Sequence, residues 1–225
     1  MRESTWRTQR TDSRWRRLIQ GRREQRLDDV HLIVDFGGVI SLPQRRDALS
    51  DLARIAGLHR SDIEVRYWGH RDDYDRGLPA HLYWATVLDR PSVPAALVGE
   101  LNTVDVGSWT HLNFGTIRTL TMLRDRGASL TLLSNAPHAQ ARDVARFATM
   151  RALFPRMIFS CELGLAKPDA DMYLEAVEQA PTRSRHFMID DRPENLYAAE
   201  RLGIAPILFT DAISLGCRTA ELAHV

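Results

Sequence analysis

Lysine is nearly absent from this chain of 225 residues, in which 29 arginines and the single lysine, Lys167, carry the positive charge. An ammonium on a flexible stem is a compact point charge that suits a buried phosphate or carboxylate pocket, whereas a planar guanidinium makes forked contacts. The position of the one lysine is therefore a hint of a site. One residue alone is also compatible with chance.

Cysteine and long apolar runs are scarce as well. The two cysteines, Cys161 and Cys217, show no metal-type spacing and form no disulfide framework, so we interpret both as ordinary core or surface residues. No window approaches the roughly 18 apolar residues that a bilayer-spanning helix needs. The amino terminus lacks an apolar signal core, so we expect a cytoplasmic protein without membrane contact.

The overall charge and composition exclude several further classes. A net charge of +1 argues against wholesale binding of nucleic acid. No glycine-rich dinucleotide or nucleotide motif is present, which argues against an enzyme that uses NAD or ATP. With 44% hydrophobic and 26% charged residues, the length suits one α/β domain with an insertion.

Residues 1–29 form an arginine-rich amino-terminal extension with nine arginines and five acidic residues. One interpretation is an arm that binds nucleic acid or an acidic partner. The other is a solvated extension, with one helix over about 12–25 that packs Trp15 on the domain. The sequence leaves both open.

The stretch 30–40 is apolar and partly β-branched, carries one carboxylate at Asp35, and breaks at Gly37-Gly38. This pattern predicts a buried parallel strand followed by a tight loop. Open α/β sheets hold their ligands at the carboxyl ends of the strands. Asp35 is therefore placed where a nucleophile or metal ligand would lie.

The remaining pattern predicts an α/β, Rossmann-like parallel sheet with helices on both faces. Its core would comprise residues 30–43 and 113–225, and residues 44–112 would form an inserted helical cap, because no strand is evident between 41 and 127. Helices are predicted at 44–57, 60–68, 79–89, 94–103, 114–126, 138–149, 169–180 and 193–202. Further strands are predicted at 129–134, 157–160, 186–190 and 206–210.

Polar residues follow three of the later strands. Ser134-Asn135 ends one strand, Lys167-Pro168 follows the next, and Asp190-Asp191 ends the third. Hydrolysis of a phosphate ester requires such a set, in which a carboxylate attacks phosphorus, Mg²⁺ bridges carboxylates to the phosphoryl oxygens, and a cation and a hydroxyl offset the developing charge.

With Asp35-Phe-Gly-Gly-Val39 as the first of four ordered motifs, the chain resembles the haloacid dehalogenase superfamily of phosphohydrolases over about residues 30–210. The segment from Tyr67-Trp68 to Tyr83-Trp84 is similar to the small helical C1-type cap of one subgroup. That subgroup contains the amino-terminal phosphatase domain of soluble epoxide hydrolase and bacterial sugar-phosphate phosphatases. The resemblance implies a Mg²⁺-dependent phosphatase acting on a small phosphorylated metabolite, such as a sugar phosphate.

The resemblance also implies a role for each motif residue. Asp35 would be the nucleophile that forms an aspartyl-phosphate, and Lys167 would pair with both that carboxylate and the phosphate. Metal ligands would come from four positions: Asp35, the Gly37 carbonyl, Asp191, and Asp190 as a ligand or supporting partner. The substrate phosphate would contact residues of the four motifs, namely Gly38, Ser134, Asn135, Lys167 and Asn195, the last also steadying the metal loop.

One position departs from the pattern. Most phosphatases of the family have an aspartate as general acid and base where this chain has Gly37, and four residues are candidates to replace it: His70, Asp72, Asp73 and His138. Two alternative functions stay open. One is 2-haloacid dehalogenation, in which halide leaves without a proton, and the other is a catalytically impaired binding protein. The oligomeric state is equally open, and a homodimer is compatible with the sequence.

Overall fold

The computed structural model describes residues 26–178, 180–220 and 222. Within them the sheet has five strands, all parallel, in the order β3-β2-β1-β4-β5. The strands are β1 (Val30–Val34), β2 (Ser129–Ser134), β3 (Arg156–Phe159), β4 (Arg185–Asp190) and β5 (Ala205–Leu208). The predicted α/β, Rossmann-like fold is confirmed. Of the extension predicted at 1–29, residues 1–25 lie outside the described residues.

Helices fill the connections between these strands. None of the described helices is long and apolar enough to cross a lipid bilayer. The helices are Ala48–Ala56, Arg60–Gly69, Arg71–Asp75, Ala80–Leu88, Ala95–Trp109, Phe114–Asp125, His138–Arg146, Ala148–Leu153, Ser160–Leu163, Ala170–Glu178, Pro193–Glu200 and Ala212–Ala220.

Strand β1 is the centre of the sheet. All five of its residues are buried, and it pairs with β2 on one side and β4 on the other. Because side chains alternate along a strand, Val30, Leu32 and Val34 pack in one apolar cluster while Ile33 packs in another on the opposite face. Burial on both faces explains why this strand is a continuous apolar run.

The strand order reverses at β1. The chain proceeds from β1 outward to β2 and β3, and then returns to β4 on the other side of β1. Open α/β sheets bind ligands outside the carboxyl ends of the strands at such a reversal point. The loop after β1 and the loop after β4 therefore face each other, with Asp35 in the first and Asp191 in the second.

Residues 44–112, called the helical insertion below, contain five helices and a separate apolar cluster. The polypeptide enters and leaves the insertion side by side, because Ser41 and Leu112 form an isolated antiparallel bridge. The largest side chains of the cluster are fully buried aromatic residues: Tyr67, Tyr83 and Trp84.

Two predicted helices differ from the observed ones. The helix predicted at 94–103 continues to Trp109. Its last turns bury Asp105 and Ser108, and buried polar residues give no apolar periodicity to detect. The single helix predicted at 138–149 is two helices, because Phe147 has an extended backbone (φ −63°, ψ 124°) between them. Periodicity cannot detect a break of one residue.

Candidate active site

The loop after β1 contains two glycines, and the second, Gly38, occupies a position that requires glycine. Gly38 has φ +76°, and a Cβ atom there would lie 2.3 Å from a carboxylate oxygen of Asp191. Only glycine meets both conditions without strain. Gly38 therefore permits the close approach of the loops that follow β1 and β4. Asp35 is anchored at the start of the same loop, because its backbone N–H donates to the Ile189 carbonyl (2.9 Å).

The single lysine lies between two carboxylates. The Lys167 ammonium donates to Asp35 Oδ1 (2.7 Å) and to Asp190 Oδ2 (2.8 Å), and its side chain is 1% exposed. Burial alone lowers the pKa of Lys167, but Asp190 and Asp35 outweigh that effect and raise it above its ordinary value. The lysine therefore stays charged and holds the two carboxylates together.

Asn135 holds the lysine loop in place. Its side-chain nitrogen donates to the Lys167 carbonyl (2.9 Å), and its side-chain oxygen accepts from the Lys167 N–H (2.8 Å). Both polar atoms of the amide thus contact the backbone at Lys167, immediately before a cis peptide bond to Pro168. This side chain positions the ammonium.

Asp190 and Asp191 occupy contrasting environments. Asp190 is fully buried, and its two oxygens accept from Lys167, from the Asn195 side chain (3.0 Å to each oxygen) and from the Arg192 N–H (2.9 Å). Asp191 is exposed. The first carboxylate is saturated by protein donors, whereas the second is open to solvent.

Three carboxylates form a cation-binding arrangement. Among the described residues, Asp35, Asp190 and Asp191 each offer an oxygen, and these oxygens lie within 4.8 Å of one another. Burial, aided by Asp190 and Asp191 and opposed by Lys167, raises the pKa of Asp35 to about 7. Burial and Asp190 also raise the pKa of Asp191. This excess of negative charge and the all-oxygen donor set fit a hard divalent cation such as Mg²⁺.

The structure brings most of the predicted site residues together. Hydrogen bonds join Asp35, Lys167, Asp190, Asn195 and Asn135, as described above. Gly37 and Ser134 are placed by their backbone positions, in the loop after β1 and at the carboxyl end of β2, where Ser134 is 1% exposed.

Trp109 is a neighbour of the site that the sequence did not indicate. A Cβ atom added to Gly37 would lie 3.7 Å from Cζ3 of this side chain. Its only sequence signal is its place at the end of the helical insertion, where the chain returns to the sheet. Arg76 of the insertion also reaches the core, where it pairs with Asp169 (2.5 Å), two residues after Lys167.

The chain is similar in sequence to a known enzyme. A stretch of 93 residues is 25% identical to a sesquiterpene phosphatase, astK, of Aspergillus oryzae, and covers 41% of this chain and 47% of that protein. The match thus spans about half the length of this curated relative.

Solved structures share the fold. A HAD family enzyme of Bacteroides thetaiotaomicron, in complex with magnesium and inorganic phosphate, superposes with a TM-score of 0.65 at 18% identity, over 81% of this chain and 94% of that one. A HAD-like family hydrolase of Porphyromonas gingivalis gives a TM-score of 0.66 at 19% identity, over 88% and 99%.

The family model for haloacid dehalogenase-like hydrolases matches residues 32–203, which include most of β1 and all four of Asp35, Ser134, Lys167 and Asp190. This chain belongs to the haloacid dehalogenase-like hydrolases.

Proposed function

We propose that this hydrolase is a Mg²⁺-dependent phosphatase that cleaves a small phosphate monoester through an aspartyl-phosphate on Asp35. One observation carries the proposal: the Lys167 ammonium bridges Asp35 and Asp190 (2.7 and 2.8 Å) beside a third, exposed carboxylate, Asp191. A nucleophile, a fixed cation and a metal-binding carboxylate are the parts that phosphoryl transfer requires.

Asp35 and Lys167 would act together in the first step. A carboxylate oxygen of Asp35 attacks phosphorus, and the ammonium stabilises the negative charge on the phosphoryl oxygens. Lys167 also fixes the orientation of the nucleophile, since its contact with Asp190 restrains it from the other side.

Asp35, Asp191 and the Gly37 carbonyl would hold the metal, and Asp190 would support Lys167 and the loop that carries Asp191. The saturated hydrogen bonding of Asp190 favours this division of roles over direct ligation by both acids. When bound, Mg²⁺ would supply Lewis-acid polarisation of the phosphoryl group.

Ser134 and Gly38 would contact the substrate phosphate. Ser134 is the last residue of β2, and Gly38 has no side chain to block the loop. Asn135 and Asn195 would act indirectly, through Lys167 and Asp190 respectively.

The helical insertion would act as a C1-type cap. Three pairings tie it to the core near the site: Arg76 with Asp169, Arg71 with Gln140, and the Ser160 hydroxyl with the Asp75 carbonyl. Trp109 also lies beside the loop at Gly37. A cap of this kind excludes water and contacts the leaving group.

The relatives support phosphatase chemistry over dehalogenation. The related Aspergillus protein is a phosphatase, and the similar Bacteroides enzyme binds magnesium and phosphate. Displacement of halide by Asp35 would require no metal. The carboxylate cluster that includes Asp191 would then have no role in the reaction.

A phosphate-ester panel with a Mg²⁺ titration tests the proposal. The panel comprises sugar phosphates, aryl phosphates, alkyl phosphates and acetyl phosphate, each assayed for phosphate release with Mg²⁺ and with EDTA. We expect turnover that requires Mg²⁺ and that Asp191→Asn shifts to higher Mg²⁺ concentration. Turnover that EDTA leaves intact contradicts the metal-dependent mechanism, and halide release from 2-chloropropionate without phosphate release supports the dehalogenase instead.

A further inference from the structure

Gly37 is not required by the backbone of its loop. Its dihedral angles (φ −68°, ψ 125°) are open to every residue type. An added Cβ atom would also be in ordinary van der Waals contact with its nearest neighbour, 3.7 Å away. Gly38 differs, because its positive φ and the proximity of Asp191 both require glycine. The fold therefore has room for a Cβ atom at position 37.

The space beside Gly37 is bounded by hydrocarbon. Of the described atoms outside its immediate chain neighbours, only Cζ3 and Cε3 of Trp109, at 3.7 and 3.9 Å, lie within 4 Å of a Cβ atom at this position. The indole N–H of Trp109 donates to the Tyr67 hydroxyl (3.3 Å). The carbon edge of the indole therefore faces the loop, and its N–H is hydrogen-bonded within the insertion.

The donors beside Asp35 are already engaged. The Lys167 ammonium contacts Asp35 and Asp190, and the Asn195 amide contacts both oxygens of Asp190. Neither group is placed as a free acid for a departing alkoxide. We assign that role to none of the four candidates, which are His70, Asp72, Asp73 and His138. Protonation of the leaving group in the transition state is typically worth about 10²–10⁴-fold in rate, so an enzyme without it depends on a leaving group that is stable as an anion.

A second feature of the same region is the aromatic surface formed by Trp68 and Trp109. Trp68 is 47% exposed, and it packs edge-to-face against the partly exposed Trp109 with ring centroids 6.3 Å apart. The Arg71 guanidinium, 5.8 Å from the Trp109 ring centroid, and the Tyr67 hydroxyl hold the indole in place. Flat aromatic surface is therefore available next to the loop that carries the nucleophile, and it favours a flat aromatic ligand.

Both features point to one substrate class. We propose that the substrate is a phosphate monoester of a phenol, whose ring packs against Trp109 and Trp68 and which departs as a phenolate. The proposal rests on the phosphatase function and narrows it from phosphate monoesters in general to aryl phosphates.

The reaction balances without an enzyme acid at position 37. An oxygen of the Asp35 carboxylate forms a bond to phosphorus, the bond from phosphorus to the phenolic oxygen breaks, and its electron pair leaves with that oxygen. The phenolate takes a proton from solvent. Water then attacks phosphorus, releases the Asp35 carboxylate, and gives inorganic phosphate and a proton to solvent.

A leaving-group series tests the proposal. The series comprises substituted phenyl phosphates that span a range of phenol acidity, with cyclohexyl phosphate as the saturated ester of the same ring size, all at saturating Mg²⁺. We expect kcat/KM to fall steeply as the phenol becomes less acidic, and to be at least about 10²-fold lower for cyclohexyl than for phenyl phosphate. A flat series, or equal rates for the two rings, overturns the proposal while the phosphatase function stands.

Gly37→Asp tests for a gain of function, since the backbone and the space for a Cβ atom at position 37 are compatible with a side chain. We expect this variant to raise kcat/KM for cyclohexyl phosphate by about 10²-fold or more and to flatten the series. A variant that folds as the wild type and leaves the ratio of the two rings unchanged contradicts the role assigned to the glycine.

Trp68→Leu and Trp109→Leu test the aromatic contact separately. An aromatic pair contributes a factor of about 2 to 10, so we expect the ratio of kcat/KM for phenyl phosphate over acetyl phosphate to fall by that factor. Acetyl phosphate has an activated leaving group but no ring. An unchanged ratio overturns the aromatic subsite.

If no phosphate ester is turned over by the wild type with Mg²⁺, the phosphatase function itself fails, which is a distinct result.

Discussion

Among the described residues, two buried cations each lie between two carboxylates. Lys167 contacts Asp35 and Asp190 at the edge of the sheet. Arg71, in the helical insertion, contacts Asp75 (2.8 Å) and Asp105 (3.2 Å). In both clusters burial raises the pKa of one carboxyl group, that of Asp35 in the first and that of Asp75 in the second. Neither a buried ion pair nor a raised pKa therefore distinguishes a reactive site from a structural one.

The surroundings of the two cations differ. The Arg71 guanidinium also donates to the Tyr67 hydroxyl and to Gln140 (3.1 Å), and the Tyr67 and Tyr74 rings lie within 6 Å of it. That cluster is closed by protein groups. The lysine cluster instead has a third carboxylate, Asp191, open to solvent across a glycine loop. We propose that this exposed carboxylate beside a strand end is what distinguishes the catalytic cluster from the structural one.

The largest predicted effect concerns Arg71. Arg71→Met removes the cation and leaves two buried carboxylates uncompensated, so we expect the free energy of unfolding to fall by about 3–5 kcal/mol. Urea denaturation followed by circular dichroism measures it. The activity of the folded fraction toward acetyl phosphate, which has no ring to contact Trp109, should change far less than the stability. An unchanged stability with lost activity would place Arg71 in the reactive site and remove the contrast.

Lys167→Arg exchanges one type of cation for the other. The wild-type ammonium makes two contacts below 3 Å in a cavity where its side chain is 1% exposed, and the larger guanidinium cannot reproduce them. We expect phosphate release to fall by about 10²–10³-fold. Circular dichroism of the same preparation controls for folding. Retention of activity within threefold would show that position 167 needs charge alone.

Asn195→Ala weakens the support of the metal loop without removing a carboxylate. Loss of a partner that orients a metal ligand costs about 10–100-fold in metal affinity or activity. We expect the Mg²⁺ concentration for half-maximal activity to rise within that range. Gln140→Ala is the matched control, because it removes a partner of Arg71 and should leave the Mg²⁺ requirement unchanged. Equal shifts in the two variants would contradict the division between the clusters.

The smallest effect concerns His31, a buried residue of β1 that contacts a partly buried histidine. Burial, with a further contribution from His186, lowers the pKa of His31 from 6.5 to about 4. Its ring bonds Thr131 (2.9 Å) and His186 (3.1 Å). Between pH 6.5 and 4 the unfolded chain takes up a proton on His31 that the native chain does not. The stability that neutral His31 contributes is therefore complete above this pH window and is lost as the pH falls through it.

The control for this pair is His31→Gln, which cannot take up the proton. The free energy of unfolding of the wild type should decline more steeply from pH 6.5 to 4 than that of the variant, as measured by urea denaturation at several pH values. Parallel declines would show that His31 does not contribute.

The assembly of the lysine cluster was largely predictable, because its residues come after recognisable strands and the ends of parallel strands share one edge. Asp35, Lys167, Asp190 and Asn195 meet for that reason. The arginine cluster was not predictable. Arg71 joins residues 34 and 69 positions away, and no spacing rule relates them. The position of Trp109 beside Gly37 was equally hidden, because it depends on how the insertion packs on the sheet.

The measurement that tests the central claim most directly is phosphate release by wild type and Asp35→Asn, at saturating Mg²⁺, with the best substrate of the panel. Loss of a catalytic nucleophile costs about 10⁴-fold or more. We therefore predict that the folded variant has no measurable turnover, while acid-quenched wild type carries a phosphoryl group on the peptide that contains Asp35. Turnover by Asp35→Asn within tenfold of the wild type would contradict the account.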